Sequence, residues 1–221
     1  MPSDRDLTTA HQAWDRAWDD PAGRSAWRTP EPAVQAVVPL LRERGVRDVL
    51  DVGSGIGRHA RFLAEQGFTV SAIDASPNGI ALSRQEAAAA GIPIDYRVGE
   101  FLRLPYTGRA FDFVLAWNVL YHGDRRVARA AFGEIHRVLR EGGLLQATML
   151  SARSPRGEGA REIAPDTFVV DGETGDRGHP HLYLDAHGVL QELGRFEPRS
   201  LVDLPLRSGH DYHWVLVADR R

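Results

Sequence analysis

Cysteine is absent from the 221 residues, which removes disulfides, thiolate metal sites and a cysteine nucleophile together. No run of about 18 consecutive apolar residues occurs, and residues 1–20 are polar and tryptophan-bearing, so neither a membrane span nor secretion is indicated and the cytoplasm is the expected location. An excess of charge is also missing. With 27 basic against 30 acidic residues, a net of -3 and no basic block, nothing would hold a phosphate backbone, and a nucleic-acid partner is not expected. No internal repeat is visible. The 43% hydrophobic content and the length suffice for one α/β core, so a single domain over residues 1–221 is expected.

What the chain does contain is concentrated at residues 50–57, an apolar stretch ending in an acid and followed by glycine at alternate positions: Leu50, Asp51, Val52, Gly53, Ser54, Gly55, Ile56, Gly57. Glycine lacks Cβ, so the backbone can turn tightly and approach a ligand closely. A second apolar run, 69–73, ends in Asp74, at the offset where the acid of a βαβ unit meets a ribose. A dinucleotide fingerprint needs its last glycine at position 58, which holds Arg58, and a pyrophosphate would face the Asp51 carboxylate. Both features disfavour NAD. They suit a ligand with a cationic end and a ribose diol, such as S-adenosylmethionine.

On these residues the chain resembles the class I S-adenosylmethionine-dependent methyltransferases, over most of its length. Residues 50–57 are similar to the family's first motif and Asp74 to its ribose-binding acid. Gly99, Glu100 and Phe101 stand where the family usually shows a Gly-Asp pair against the adenine, with the longer Glu100 replacing the aspartate. Residues 111–122 resemble the fourth strand and its loop, and 137–145 the turn into the fifth. The resemblance implies S-adenosyl-L-methionine as cofactor, held by Asp51, Gly53, Ser54, Gly55, Gly57, Arg58, Asp74, Ala75, Glu100, Phe101 and Asn118. Within the class, Gly55-Ile56-Gly57-Arg58 and the compact size are similar to the tellurite-resistance type of small-molecule methyltransferase.

Periodicity gives an alternation of strands and helices, the pattern of a doubly wound, mostly parallel sheet. The implied α/β fold is Rossmann-like, with seven strands, the last antiparallel, and helices on both faces. A leading helix follows Pro30 and Pro32, carrying Val34, Val37, Val38 and Leu41. Strands are predicted at 46–52, 69–73, 94–98, 111–116, 144–150, 196–204 and 213–218, with a Ser208-Gly209 turn before the last. Helices are predicted from Gly57, from Pro77 to Gly91 after a Ser76 cap, over 125–140, stopped by Glu141-Gly142-Gly143, and over 185–194. The expected layout is a helical cover (1–44), a cofactor-binding core (45–150), a lid or insertion (151–184) and a C-terminal helix and strand pair (185–221). A structureless segment of the length of 151–178 should cover the pocket.

The acceptor side is less explicit. His122 and Tyr121 follow the fourth strand, and His122, which titrates near neutrality, is the first candidate for base or acceptor-orienting group, with a helix-capping role before Asp124 as the alternative. His179 and His181 alternate about Pro180, an arrangement open to anion or metal binding; without a third ligand nearby no metal is assigned, and His181 is carried as a catalytic candidate. A third group runs through His210, Asp211, Tyr212, His213 and Trp214. Trp14 and Trp18 share a helical face and with Trp27 either staple the N-terminus to the body or wall in a sulfonium by cation–π attraction. Arg58 either pairs with Asp51 or meets the cofactor carboxylate. The expected activity is in-line methyl transfer to O, N, S or a heavier chalcogen of a small molecule. The alternatives are a non-catalytic S-adenosylmethionine-binding module and an NAD(P)-dependent oxidoreductase. Monomer and homodimer remain equally open.

Overall fold

A computed structural model describes residues 9–206 and 211–221. The predicted turn at Ser208-Gly209, and His210, lie outside the described residues. The N-terminal quarter is helical: α1 (Ala10–Asp19), α2 (Pro21–Ser25), α3 (Pro32–Ala36) and α4 (Val38–Glu43). The leading helix is therefore two short helices, yet Val34, Val37, Val38 and Leu41 all bury as their spacing requires.

The winding core follows as β1 (Asp48–Val52), α5 (Arg58–Glu65), β2 (Thr69–Asp74), α6 (Pro77–Ala89), β3 (Ile94–Val98), β4 (Phe111–Ala116), α7 (Arg125–Val138) and β5 (Leu139–Ser151). Helix starts are set by side chains that satisfy otherwise orphaned N–H groups. The Gly79 N–H donates to Ser76 Oγ at 2.9 Å, and those of Arg126 and Val127 donate to Asp124 Oδ1, each at 2.9 Å. The parallel order is β3-β2-β1-β4-β5. Along β1 and β4 successive side chains go to opposite faces: Leu50, Val52 and Val114 pack against α7, whereas Val49, Phe113 and Leu115 pack against the N-terminal helices and α5. Burial on both faces explains why these strands are nearly continuous apolar runs.

Two strands complete the sheet. β9 (Phe196–Leu206) pairs antiparallel with β10 (Asp211–Arg220), and β10 pairs antiparallel with β5, giving seven strands in the order β3-β2-β1-β4-β5-β10-β9. Between β5 and β9 lie β6 (Ala160–Ala164), β7 (Thr167–Val170), a 3-10 turn at Asp176–Gly178, β8 (His181–Leu184) and α8 (Ala186–Leu193). β6 and β7 form an antiparallel hairpin, β7 pairs with β8, and β8 extends the end of β5 at Leu150–Tyr183 and Ser151–Leu184.

Two expectations are corrected here. The 151–178 stretch is not structureless, because β6, β7 and the 3-10 turn lie within it. Glu141, Gly142 and Gly143 do not stop α7; the helix ends at Val138 and those residues lie inside β5, where the β4–β5 register shifts between Phe111 and Phe113. Gly142 has φ +71, so the glycine serves an irregular strand rather than a helix end. Among the described residues no helix is long and apolar enough to cross a membrane.

Candidate functional site

The strand order reverses between β1 and β4, which opens a crevice beyond their carboxyl ends. The chain leaves β1 by donating the N–H groups of Gly53 and Ser54 to the Ile73 carbonyl, at 2.8 and 3.1 Å. Gly53 has φ +68, and a Cβ there would stand 2.6 Å from Val119. Gly57, at φ +75, has no room either, since its Cβ would fall 1.8 Å from Ser83 Oγ. Asp74 then ties the two turns together: Oδ2 accepts from the Gly55 N–H at 2.7 Å and Oδ1 from the Ser76 N–H at 2.8 Å. Each oxygen keeps a lone pair for a further donor. Burial raises the Asp74 carboxyl above its ordinary value, against the pull of those two N–H groups.

The crevice contains about 980 Å³ of space, part of it open to solvent. Of the predicted cofactor residues, Gly53, Ser54, Gly55, Arg58, Asp74, Ala75, Glu100, Phe101 and Asn118 line it, as does His122. Asp51 and Gly57 do not; they sit beneath the turn, Gly57 as the residue before α5. Asp51 is 1% exposed and its Oδ2 has no hydrogen bond. Burial pushes its carboxyl up to about 8, with Arg58 opposing and Asp74 adding to the rise. Arg58 forms an ion pair with Glu31 at 2.9 Å, and its guanidinium lies 5.2 Å from the centre of the Trp27 ring.

The crevice is roofed by α1 and not by residues 151–184, none of which lines it. Trp14 stacks on Trp18 at 5.0 Å, both meet Trp27 edge-on, and all three face the crevice. The two readings of these tryptophans are therefore one arrangement: the rings that hold α1 together are also the aromatic wall. Asp15 pins the roof to the far side, its Oδ1 accepting from Ser76 Oγ at 2.6 Å and from the Asn78 N–H at 3.0 Å. His11, Trp117 and His59 line the crevice too. They were missed because no local motif marks them; His11 lies one helical turn before Trp14 and could have been found from that spacing.

The other end is built on the loop after β4. Asn118 has φ +57, uncommon for a side-chain-bearing residue, and is held by its N–H to Thr148 Oγ1 at 2.7 Å while that hydroxyl donates to Asn118 Oδ1 at 3.1 Å. His122 follows, 5% exposed, with neither ring nitrogen in a hydrogen bond of normal length and angle. Burial brings its imidazole down to about 4, against the Asp176 carboxylate, which raises it, and with His181 adding to the fall. β8 is laced to this loop: the Leu182 N–H donates to the Tyr121 carbonyl at 2.9 Å and the Gly123 N–H to the Pro180 carbonyl at 3.1 Å. Tyr121 and His181 thus sit behind His122, with ring centres 4.7 Å from it, and do not line the crevice. His213 reaches the same cluster, 5.5 Å from the Tyr121 ring, whereas His179 turns away to hydrogen-bond Thr9 Oγ1 at 2.8 Å.

Asp176 completes the cluster. Its Oδ2 is 3.1 Å from His181 Nε2, and its Oδ1 is 3.9 Å from His122 Nδ1. Burial raises its carboxyl, but His122, His181 and the Trp14 indole outweigh this and hold it well below the usual carboxylate range. The Asp-x-x-His-x-His run from Asp176 to His181 was the sequence signal for it.

Comparison with known proteins agrees with this geometry. Residues 49–143 match the family described as a methyltransferase domain. A ubiquinone biosynthesis O-methyltransferase of Paramagnetospirillum magneticum is 41% identical over 83 residues, 38% of this chain and 33% of that protein. The malonyl-(acyl-carrier protein) O-methyltransferase of Salmonella typhimurium is 34% identical over 164 residues, 73% of this chain and 58% of that protein. The chain therefore spans about a third to three fifths of the length of these relatives. In fold it is similar to the 1,6-didemethyltoxoflavin-N1-methyltransferase of Burkholderia thailandensis, with a TM-score of 0.75 at 18% identity over 100% of this chain and 91% of the other. Sheet order and glycine turn agree with the matched stretch, residues 49–143, which is similar to a methyltransferase domain.

The residues present fit S-adenosylmethionine. The Asp74 carboxylate has spare lone pairs, as a ribose diol would need, and among the described residues buried Ser54 Oγ and Asp51 Oδ2 have no hydrogen-bond partner. An aromatic wall suited to a sulfonium closes the crevice.

Proposed function

We propose that the chain transfers the methyl group of S-adenosylmethionine to a nucleophilic atom of a small molecule. The observation that carries this is one crevice running from Asp74 and the glycine turn, under the tryptophan roof, to a buried neutral histidine. In this reading Asp74 holds the ribose diol, Glu100 and Phe101 meet the adenine, and Gly53, Ser54 and Gly55 cradle the amino-acid end, with Asp51 beneath, protonated without ligand, ionising as the ammonium arrives. Bound there, the cofactor supplies a methyl carbon already activated by its sulfonium. The protein's part is alignment and exclusion of water, which Trp14, Trp18 and Trp27 provide. His122, neutral at pH 7, can accept a proton from an acceptor hydroxyl or ammonium. Tyr121 and His181 act through His122 by fixing its ring.

The near-balanced charge, 27 basic against 30 acidic residues, favours a small acceptor over a nucleic acid. The relatives named as O-methyltransferases put oxygen first among acceptor atoms, and the tellurite-resistance-type resemblance adds soft chalcogen anions. Labelled S-adenosylmethionine incubated with phenols, carboxylic acids, amines, thiols and tellurite tests the proposal. Label should reach at least one class. Tight S-adenosylhomocysteine binding with transfer to none would point to a regulatory module, and binding of NAD(P)H in its place would overturn the cofactor as well.

A further inference from the structure

We propose that His122, Asp176 and His181 form a binding site for one divalent first-row transition-metal ion, of the zinc or iron(II) kind, at the acceptor end of the crevice. One donor atom from each residue lies within 4.8 Å of the others. The donor set is two imidazoles and a carboxylate, which leaves coordination positions open.

Three observations within the cluster call for a cation. His181 Nδ1 is 2.8 Å from the His179 carbonyl oxygen, which can only accept, so Nδ1 carries the proton. Nε2 then faces Asp176 Oδ2 at 3.1 Å, a contact that needs positive charge between the two, supplied by a second ring proton or by a metal ion. A metal ion joins the two, and the Nδ1–H···O=C bond is the orienting contact that metal-bound histidines make. The 3.1 Å separation is also close to the ligand–ligand edge of about 3 Å set by bonds of about 2.0–2.2 Å at near-right angles. Second, both nitrogens of His122 are buried without a hydrogen bond of normal geometry, although the ring faces the carboxylate. Third, Asp176 Oδ1 is likewise buried without a hydrogen bond of normal geometry, although the Trp14 indole and the His122 ring both act on this carboxylate. His122 lines the crevice while the other two stand behind it, so the open positions face the acceptor space. A bound ion would draw an acceptor oxygen there and favour its anion, replacing proton transfer to His122, whose lone pair the ion would take; that role rests on the methyl-transfer reading, and the site itself does not.

Cobalt(II) added to the metal-stripped full-length protein tests this, read by visible d–d absorption and by metal analysis after gel filtration. One cobalt per chain is expected, weakened at least tenfold in both Asp176→Asn and His181→Gln, with zinc displacing it. Calorimetry with S-adenosylhomocysteine, run on each variant, separates loss of fold from loss of ligands. Cobalt retained no better by the wild type than by variants that still bind S-adenosylhomocysteine overturns the site and leaves Asp176 and His181 as a plain ion pair. Cobalt bound but S-adenosylhomocysteine refused by the wild type keeps the site and overturns the methyltransferase reading instead.

Discussion

The two ends of the crevice are made differently. At the end proposed for the ribose the lining comes chiefly from strand tips and the few residues after them: the glycine turn after β1, Asp74 at the end of β2, Glu100 and Phe101 after β3. At the acceptor end His122 stands on the loop after β4, but its neighbours arrive from β8, β10 and the 3-10 turn, and the roof from α1. Parallel winding delivers the first set to one place automatically, because consecutive strands must point the same way. The second set depends on the segment between β5 and β9 and on α1, which the parallel strand order does not itself bring there. The first end should govern cofactor affinity and the second turnover.

His122→Ala gives the strongest contrast. Loss of a positioned proton acceptor should lower kcat by about 100-fold or more, with S-adenosylhomocysteine affinity nearly unchanged by calorimetry. Equal losses in both would erase the distinction between the ends. Asp74→Ala should do the reverse, weakening S-adenosylhomocysteine by about 1–3 kcal/mol as charged hydrogen bonds are lost, with turnover at saturating cofactor much less affected. Asp15→Ala sharpens the comparison, since it frees the roof from Ser76 and Asn78 and reaches Asp74 only through charge. A loss of about 1 kcal/mol in S-adenosylhomocysteine binding is expected as these hydrogen bonds are removed, and protection of Trp14, Trp18 and Trp27 from fluorescence quenchers should fall.

Smaller effects come from pH. Asp51 keeps its proton in the folded state up to about 8, whereas the unfolded chain releases it near 3.8. Over that window the folded state binds the extra proton, so this group's contribution to stability is greatest below the window and declines as pH rises through it. The wild-type Tm should therefore fall relative to that of Asp51→Asn as pH climbs from about 4 to about 8. His122 acts with the opposite sign. Its folded-state value of about 4 lies below 6.5, so between these values the unfolded chain binds more protons and stability grows with pH. Tm scans of His122→Gln should be flatter than wild type in that acidic window.

This division also explains what was legible in the sequence. Asp51, Gly53, Gly55, Gly57 and Asp74 carry fixed spacings because backbone geometry alone requires them, and the alternation of Val49 and Leu50 with Phe113 and Val114 reports a sheet covered on both faces. What was lost is non-local. Asp176 joins His122 only because β8 is hydrogen-bonded along residues 121–123, and no periodicity encodes that pairing. The β6–β7 hairpin was hidden by glycine- and charge-rich surroundings, and its residues are exposed or half-buried apart from Thr167, so the alternation that marks a buried strand is weak. Gly142-Gly143 looked like a helix stop because glycine most often serves there; a strand irregularity uses the same positive φ for another purpose.

The most direct test is a crystal structure of the protein with S-adenosylhomocysteine. The ribose should lie on Asp74, the adenine beside Glu100 and Phe101, and the sulfur beneath the tryptophan roof pointing toward His122. An empty crevice at saturating ligand, or a nucleoside bound away from Asp74, would contradict the account.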